Sequence, residues 1–403
     1  MYIFLLSSVY PSLHSPKGTT PVVHYFTKEW VSLGHRVHVF HFESLFPKVY
    51  YWFVKPLKRF LDSKLGHLVP NIAPKEYDEE KDGVSITHVS LKKKKPHGRF
   101  SQDQIQKALD IISLQIKKEG LPDCFVGHWD NPQLELLHEL KERFHRPTCL
   151  VYHSNGFSQL EKCYGRDFEA LRKDIDLVGF RNHTSRDAYF RQFGIPDHSF
   201  IASSGISMSF VDAGNGFERD FDSINNFIYV GAIVARKYPI VNINALAKAY
   251  QKDPFNITYV GEGLQEKETE GRFRELNCCG SIKFTGRIPR DEVIAHLKEA
   301  DVFMMISKAE LFGLVYLEAM ALGCITIGSR GEGIDGIIVD GVNGFLCEAG
   351  NEDELCSIIN RIRSMSKSEL ISISNRAKDT ARSYSDLEVA KRYIEELKTI
   401  TAI

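Results

Sequence analysis

The segment Val302–Gly323, VFMMISKAELFGLVYLEAMALG, shows most plainly how this chain folds. It opens with an apolar run of strand length, Val302–Ile306, passes through a short loop, and enters a helix-compatible pattern near Leu314. A strand, a loop and a helix in that order form the repeating unit of a parallel sheet. Because ligands of such sheets bind beyond the carboxyl ends of the strands, we expect residues 307–313 to carry chemistry.

The same unit recurs in both halves of the chain. The first half opens with the strand-like Tyr2–Ser7, a helix that begins near Pro21, and the strand-like Val37–Phe42. In the second half, helix-compatible segments separate the strand-like runs Phe227–Gly231, Ile257–Val260, Ile282–Phe284, Val302–Ile306 and Ile325–Gly328. The pattern predicts an α/β protein with two doubly wound domains that face each other across a cleft.

The domain boundaries follow from a change in composition. Residues 209–226 are rich in Gly, Asn, Asp and Ser, so we interpret them as a linker between a first domain, 1–208, and a second domain, 227–384. The helix-compatible segment 385–403 is expected to pack back on the first domain.

Composition narrows the functional classes. The chain has 403 residues, of which 51 are basic and 52 acidic, so its overall charge gives no reason to expect nucleic acid as a partner. No apolar stretch approaches the roughly 18–20 residues of a membrane-spanning helix. The eight cysteines form no C-x-x-C pair and are expected to be reduced thiols of a cytoplasmic protein. No cluster with metal-ligand spacing was found, so no metal and no cofactor is expected.

Two charged clusters fall where ligands are expected. The amides of Phe312, Gly313 and Leu314 would lie at a helix N-terminus, which favours an anion such as a pyrophosphate. Glu310 would precede that terminus and Glu318 would lie about one turn inside the helix, so one ligand could contact both. After the strand Phe227–Gly231, Arg236 and Lys237 could neutralise a departing diphosphate.

Segment 302–323, together with DGVNGFL at 340–346, resembles the C-terminal domain of retaining glycosyltransferases of family 4. The resemblance implies the GT-B fold, in which two Rossmann-like domains hold a nucleotide sugar as substrate. By matching position, Glu310 would bind hydroxyls of the donor sugar and Glu318 those of the ribose, while Lys237 would be the phosphate lysine. Ala232 and Leu311 depart from the family pattern, which usually has Arg and Gly there, and Arg236 would supply the lost charge.

The resemblance also implies contacts from other loops. The chain matches the family's nucleotide, base and sugar loops at Gly18, Gly261, Gly263, Arg287, Ile288, Gly333 and Ile334. His128 and His153 each end a strand-like run, and relatives use a histidine in this region beside the donor sugar. Guanine-selective relatives carry an acidic residue where this chain has Arg290, which favours a UDP sugar over a GDP sugar.

Together these features predict a retaining hexosyltransferase. The donor would be a nucleotide diphosphate sugar and the acceptor a glycan or lipid-linked glycan, with a role in surface polysaccharide or glycoconjugate synthesis. Two alternatives stay open, a nucleotide-sugar epimerase of the same architecture and a non-catalytic, glycosyltransferase-like binding subunit. Segment 46–65 interleaves aromatic and basic residues and could contact an anionic membrane surface at the cytoplasmic face, although Pro56 should interrupt a continuous helix there. Oligomeric state is left undetermined.

Overall fold

A computed structural model describes residues 1–13, 21–65, 72–95, 98–154 and 156–401, without the side chains of 59–65. Its contacts divide the chain into two compact units. The first comprises Met1–Arg181, Ser185–Ser203 and Val389–Ile403, and the second comprises Asn182–Thr184 and Ser204–Glu388. Each unit is an α/β fold built on its own sheet.

Within the described residues, the sheet of the first unit has eight strands in the order β3-β4-β2-β1-β5-β6-β7-β8. All neighbours are parallel except β3, which pairs antiparallel with β4 at one edge. The strands are β1 (Tyr2–Ser7), β2 (Arg36–Leu45), β3 (Tyr77–Lys81), β4 (Val84–Lys92), β5 (Cys124–His128), β6 (Thr148–Tyr152), β7 (Leu177–Phe180) and β8 (Ser199–Ile201). The helices are α1 (Val22–Ser32), α2 (Lys48–Leu65), α3 (Gln102–Glu119), α4 (Gln133–Phe144), α5 (Ser158–Tyr164), α6 (Asp167–Arg172) and α7 (His183–Phe193).

The first core forms where helices cover a sheet of apolar strands. Phe4, Phe40 and Phe125 come from three neighbouring strands and are fully buried, with the ring of Phe4 centred 5.1 Å from Phe40 and 6.1 Å from Phe125. Central strands of a parallel sheet are covered on both faces and therefore consist largely of apolar residues. The strand order reverses between β1 and β5, so the loops after these two strands flank the switch point of this sheet.

The described sheet of the second unit has six parallel strands in the order β11-β10-β9-β12-β13-β14. The strands are β9 (Asn226–Val230), β10 (Phe255–Val260), β11 (Gly280–Gly286), β12 (Val302–Met304), β13 (Ile325–Ser329) and β14 (Phe345–Cys347). The helices are α8 (Met208–Gly214), α9 (Pro239–Tyr250), α10 (Glu266–Leu276), α11 (Val293–Glu299), α12 (Leu314–Ala321), α13 (Glu352–Ser364) and α14 (Lys367–Ser383), and the last helix, α15 (Asp386–Thr401), passes from this unit to the first. The two Rossmann-like sheets confirm the predicted fold class.

The C-terminal residues Val389–Ile403 belong to the first unit. Tyr393 places its ring 5.3 Å from Phe26 and 4.9 Å from Trp30, centre to centre, and the Trp30 indole nitrogen donates to the carbonyl oxygen of Ala390 at 3.3 Å. The aromatic contacts bury the apolar side of the last helix against α1.

The predicted linker, 209–226, is wrong. Helix α8 lies within it and buries Phe210, and the Arg219 guanidinium donates to the Leu322 carbonyl oxygen at 2.9 Å. Phe221 and Ile224 also join the second core. The polar residues that suggested a linker lie between the buried residues Phe210, Phe221 and Ile224. The whole segment belongs to the second unit.

Helix α2 differs from the sequence expectation because it continues through Pro56. A proline inside a helix loses one backbone hydrogen bond, and the carbonyl of Trp52 that loses its partner lies on an exposed turn, where water can replace it. In the parts of the chain that the structure describes, no helix combines the length and apolar character needed to cross a membrane.

We predict that stability of the chain falls as pH decreases, in part through His38. Burial lowers the pKa of His38 from 6.5 to about 4, so unfolding takes up a proton between these two values and the free energy of unfolding decreases there. A proton uptake near one corresponds to a slope of about 1 kcal/mol per pH unit near pH 5. Chemical denaturation at a series of pH values should show that His38→Gln removes about this much of the slope.

The matched control for this prediction is His198→Gln. His198 is exposed, so its ring contacts water in the folded and the unfolded chain, and its replacement should leave the slope unchanged. An identical slope in His38→Gln and the unsubstituted chain would contradict the prediction.

Candidate active site

The site in the second unit lies at the switch point of its sheet. The strand order reverses between β9 and β12, so the loop after β9 and the loop after β12 meet at the carboxyl ends of adjacent strands. The backbone N–H of Lys308 donates to the carbonyl oxygen of Arg236 at 2.7 Å and joins the two loops directly. Both charged clusters predicted from the sequence are therefore brought together here.

Lys237 and Glu310 form an ion pair at this point. The Lys237 Nζ lies 2.9 Å from Oε2 of Glu310, and both side chains are largely buried. Arg236 approaches the same oxygen at 3.6 Å, but its guanidinium remains about half exposed. One carboxylate thus holds two cations in adjacent positions, and an anionic ligand could reach the exposed one first.

Hydrogen bonds to backbone groups of Glu310 and Leu311 hold the loop that carries Glu310. The Glu310 N–H donates to Oε2 of Glu332 at 2.8 Å, and the Gly333 N–H donates to the Glu310 carbonyl oxygen at 2.9 Å. Asn182 donates its side-chain amide to the next carbonyl, that of Leu311. These bonds fix the backbone on both sides of the Glu310 side chain.

Gly333 and Ile334 stay predicted backbone contacts to the donor, and in the structure Gly333 also lies against the Glu310 loop. The Gly333 N–H is already bonded to Glu310, and the Ile334 side chain is fully buried. A Cβ added to Gly333 would lie 2.1 Å from the Leu311 carbonyl oxygen, so the loop approaches as closely as a glycine allows. Gly333 therefore packs directly against the backbone of the Glu310 loop.

Helix α12 begins as predicted after Phe312. Gly313 occupies its N-cap position with φ of 71°, in the left-handed region that favours glycine, and no side chain caps the helix. Phe312 is buried, whereas Gly313 and Leu314 are partly exposed. The uncapped terminus therefore faces the same loop region as the Lys237–Glu310 pair, where its dipole favours an anion.

Gly261 and Gly263 are needed because two loops touch through their backbones. A Cβ on Gly261 would lie 2.1 Å from the Gly231 carbonyl oxygen, and one on Gly263 would lie 2.1 Å from that of Ile233. The Ile233 N–H in turn donates to the Glu262 carbonyl oxygen at 3.0 Å. This contact fixes the backbone of the loop that contains Lys237.

Glu318 is nearly completely buried and is neutralised by Arg290. The Arg290 Nε donates to Oε1 of Glu318 at 2.7 Å, and its Nη2 donates to the same oxygen. Burial raises the pKa of Glu318, and the guanidinium opposes that change. From the sequence, Arg290 was used only as an argument against a guanine nucleotide, because no acidic residue stands at its position. Its pairing with Glu318 was missed, because the two residues are 28 positions apart. The neighbouring Arg287 is exposed, and Ile288 packs on the core.

In the first unit, His128 and His153 contact each other. The His128 Nδ1 lies 2.8 Å from the His153 Nε2, and the Tyr393 hydroxyl lies 3.3 Å from the His128 Nε2. Burial, together with the charge of Arg181, lowers the pKa of both histidines, so both rings are neutral at pH 7. His128 is fully buried whereas His153 is partly exposed, so of the two only His153 can contact a ligand directly.

His153 is also oriented by stacking. The ring of Trp129 lies 3.9 Å from that of His153, centre to centre, at 15° between planes. His128 is thus a positioning residue for His153, which stays a predicted donor-sugar contact. The remaining predicted site residue, Gly18, lies outside the described residues.

The second unit resembles a family of known proteins. Residues 218–382 match the family described as glycosyl transferases group 1. The match lies within the second unit and covers less than half of the chain. The matched region contains the Lys237–Glu310 pair, the Arg290–Glu318 pair and all the glycine contacts of the second unit described above.

Similar proteins place these features in context. An uncharacterized glycosyltransferase of Methanocaldococcus jannaschii is 32% identical over 32% of this chain and 35% of its own length. The lipopolysaccharide core biosynthesis glycosyltransferase LpsE of Rhizobium meliloti is 25% identical over 60% of this chain and 75% of its own. The first curated relatives are thus matched over about a third of their length or less.

Solved structures extend the comparison to the whole fold. HepE of Anabaena, solved in complex with UDP, has a TM-score of 0.67 and 18% identity, and the match covers 99% of this chain and 100% of HepE. At this identity the likeness establishes the fold alone, and that fold is the GT-B architecture of two Rossmann-like domains.

We predict that Gly263→Ala destabilises the second unit. The new Cβ would overlap the Ile233 carbonyl oxygen, so the loop that delivers Lys237 must move, and overpacking of this kind costs about 1–3 kcal/mol. Thermal unfolding followed by circular dichroism measures the effect. Gly271→Ala is the matched control, because a Cβ in the middle of helix α10 meets no atom within 4 Å and should stabilise by up to about 1 kcal/mol. Equal melting temperatures for the two variants would contradict the prediction.

Proposed function

We propose that this protein is a retaining glycosyltransferase that moves a hexose or N-acetylhexosamine from a nucleotide diphosphate sugar to a glycan or lipid-linked glycan. The observation that carries the proposal is the buried Lys237–Glu310 pair at the sheet switch point, next to the uncapped end of α12. The match of residues 218–382 to the group 1 glycosyl transferases supports the reaction class. The relative LpsE, whose name assigns it to lipopolysaccharide core biosynthesis, supports a glycan acceptor.

The charges at this site fit the loss of a diphosphate. When the bond between the sugar and the phosphate breaks, negative charge grows on the leaving group, and preorganised cations lower the barrier. Lys237 is fixed by Glu310, and the more exposed Arg236 lies beside it, so both cations can contact phosphate oxygens without a large rearrangement. The α12 dipole adds to the same field.

The environment of Glu310 favours a binding role over a nucleophilic one. Its carboxylate charge is shared with Lys237 at 2.9 Å, which reduces its tendency to attack a sugar carbon. A carboxylate held in this way can accept hydrogen bonds from sugar hydroxyls. We therefore assign retention to attack by the acceptor on the same face from which the diphosphate leaves, with the departing phosphate taking the acceptor proton.

A UDP sugar is the favoured donor. Arg290 occupies the position at which guanine-selective relatives carry an acidic residue, and a guanidinium has no acceptor for the guanine edge. In the structure Arg290 donates two hydrogen bonds to one oxygen of Glu318. The other oxygen, Oε2, is then the acceptor that we assign to the ribose hydroxyls. HepE, solved with UDP and glucose, shares this fold.

We predict that Lys237→Gln and Glu310→Gln each lower kcat at least about tenfold, equivalent to a loss of about 1.4 kcal/mol of transition-state stabilisation. A panel of UDP-glucose, UDP-galactose, UDP-N-acetylglucosamine and GDP-mannose, assayed for hydrolysis and for transfer to glycan acceptors, identifies the donor first. NMR of the product then reports the anomeric configuration.

Lys248→Gln is the matched control for these variants. Lys248 also pairs with a glutamate, Glu352, but the pair lies on the surface between α9 and α13, so kcat should not change. Unaltered kinetics in both site variants, with folding verified, would contradict the site. Inversion at the anomeric carbon would contradict the mechanism, and interconversion of free nucleotide sugars without transfer would identify an epimerase.

We also propose that α2 contacts an anionic membrane surface, where a lipid-linked acceptor would be available. Spacing of three, four and eight residues places one set of apolar side chains on a single helical face, and basic residues lie beside them. The exposed apolar residues are Val49, Trp52, Phe53 and Leu57, between 50% and 74% accessible, and the exposed basic residues are Lys48 and Lys55. Aromatic residues in the interface and lysines against anionic lipid are the pattern of a peripheral helix.

We predict that the chain co-sediments with anionic vesicles and less with neutral ones, and that salt weakens this binding. Trp52→Ser combined with Phe53→Ser should reduce the partition coefficient at least about tenfold, because two large apolar side chains no longer enter the interface. Leu114→Ser is the control, since Leu114 is equally exposed but lies on α3. Equal recovery in the supernatant with and without anionic vesicles would contradict the proposal.

A further inference from the structure

Three potential metal ligands meet on the first sheet, outside the residues discussed for sugar transfer. His41 on β2 and His88 on β4 are register partners in neighbouring parallel strands, and Glu43 follows two residues after His41 on the same face. One ligand atom from each of the three lies within 4.8 Å of the others. Both imidazole rings are almost completely buried.

The two imidazole rings face each other through the same ring nitrogen. Nδ1 of His41 faces Nδ1 of His88 at 3.0 Å. Nε2 of His88 lies 2.9 Å from a carboxylate oxygen of Glu79, so this nitrogen carries the proton and donates it. The His41 ring also makes a hydrogen bond to the backbone of Ser8, and since Nδ1 faces His88, we assign that bond to Nε2.

This pattern turns two lone pairs toward each other. A neutral imidazole whose Nε2 carries the proton offers Nδ1 only as an acceptor. Two acceptors at 3.0 Å repel each other unless a cation lies between them.

Glu43 supplies the negative charge that a cation needs. Its Oε2 is buried without a hydrogen-bond partner, whereas Oε1 accepts from the Ser12 hydroxyl at 3.2 Å. A buried carboxylate oxygen without a partner is costly, and a metal ion would satisfy it.

We propose that Nδ1 of His41, Nδ1 of His88 and Oε2 of Glu43 bind a divalent cation of the zinc class. Two imidazoles and one carboxylate suit Zn²⁺, with Zn–N bonds of about 2.0–2.1 Å that place two nitrogen ligands about 3.3 Å apart in a tetrahedron, close to the separation observed. Mg²⁺ and Ca²⁺ prefer oxygen ligands. The bond from His88 to Glu79 is the outer contact that commonly orients a metal-bound imidazole.

The site would stabilise the start of the loop after β1. Ser8 and Ser12 of that loop are bonded to His41 and Glu43, so a metal at the three ligands joins β2, β4 and this loop. The proposal involves none of the residues assigned to the nucleotide sugar and does not depend on the proposed function.

The test uses the full chain after removal of metals with a chelator. Titration with Co²⁺ should give one bound ion per chain with the visible absorption of a four-coordinate site, and Zn²⁺ should displace it. His88→Gln and Glu43→Gln should each weaken Co²⁺ binding at least about 100-fold, because a direct ligand is lost. Glu79→Gln should keep the stoichiometry and weaken binding about 10–100-fold.

His153→Gln is the matched control, because its ring also faces a second histidine, His128, at 2.8 Å and it is not among the three ligands. Its metal stoichiometry should equal that of the unsubstituted chain, and circular dichroism verifies the fold of every variant. Failure of the unsubstituted chain to bind stoichiometric Co²⁺ or Zn²⁺ would overturn the proposal without reference to any variant. Unchanged affinity in both ligand variants, or preferential binding of Mg²⁺, would also overturn it.

Discussion

The candidate site of the second unit depends on the direct backbone contact between loops that leave neighbouring parallel strands. Parallel strands deliver their carboxyl ends to one edge at a spacing of about 4.8 Å, so adjacent loops must touch or diverge. Here they touch, at Gly261, Gly263 and Gly333, where a Cβ would lie 2.1 Å from a facing carbonyl oxygen. The absence of side chains at these positions lets the backbone itself set the positions of Lys237 and Glu310.

Both buried carboxylates of this site lie next to a cation from another loop. Glu310 and Glu318 are both largely removed from water, and each forms a close ion pair with a cation from another loop, Lys237 for Glu310 and Arg290 for Glu318. A buried carboxylate without such a partner would be protonated or would destabilise the fold. The pairing leaves neither carboxylate as an uncompensated charge inside the second unit.

Hydrophobic periodicity predicted much of the fold. The strand at Tyr2–Ser7 has the observed bounds, and the runs of the second half differ from the observed strands by two residues or fewer. Central strands such as β9 and β12 are buried on both faces, so their apolar character is continuous and easily recognised. The segment 209–226 was wrongly predicted to be a linker, because the few residues that it buries in the second core, Phe210, Phe221 and Ile224, are separated by many polar residues. Pro56 was taken as a helix breaker, although its turn faces solvent.

Single site residues were predicted where each one follows a strand, but their side-chain pairs were missed, because only the sheet brings the partners together. Lys237 and Glu310 were found because each follows a strand, whereas Arg290 carries no signal of its pairing with Glu318. The same limit hid His41 and His88, which are 47 positions apart in the chain but opposite each other in β2 and β4. Ligand spacing along one segment, the usual sign of a metal site, cannot reveal ligands supplied by two parallel strands, because a whole crossover connection separates them. Strand register is the missing quantity, and it becomes available only when the order of strands in the sheet is known.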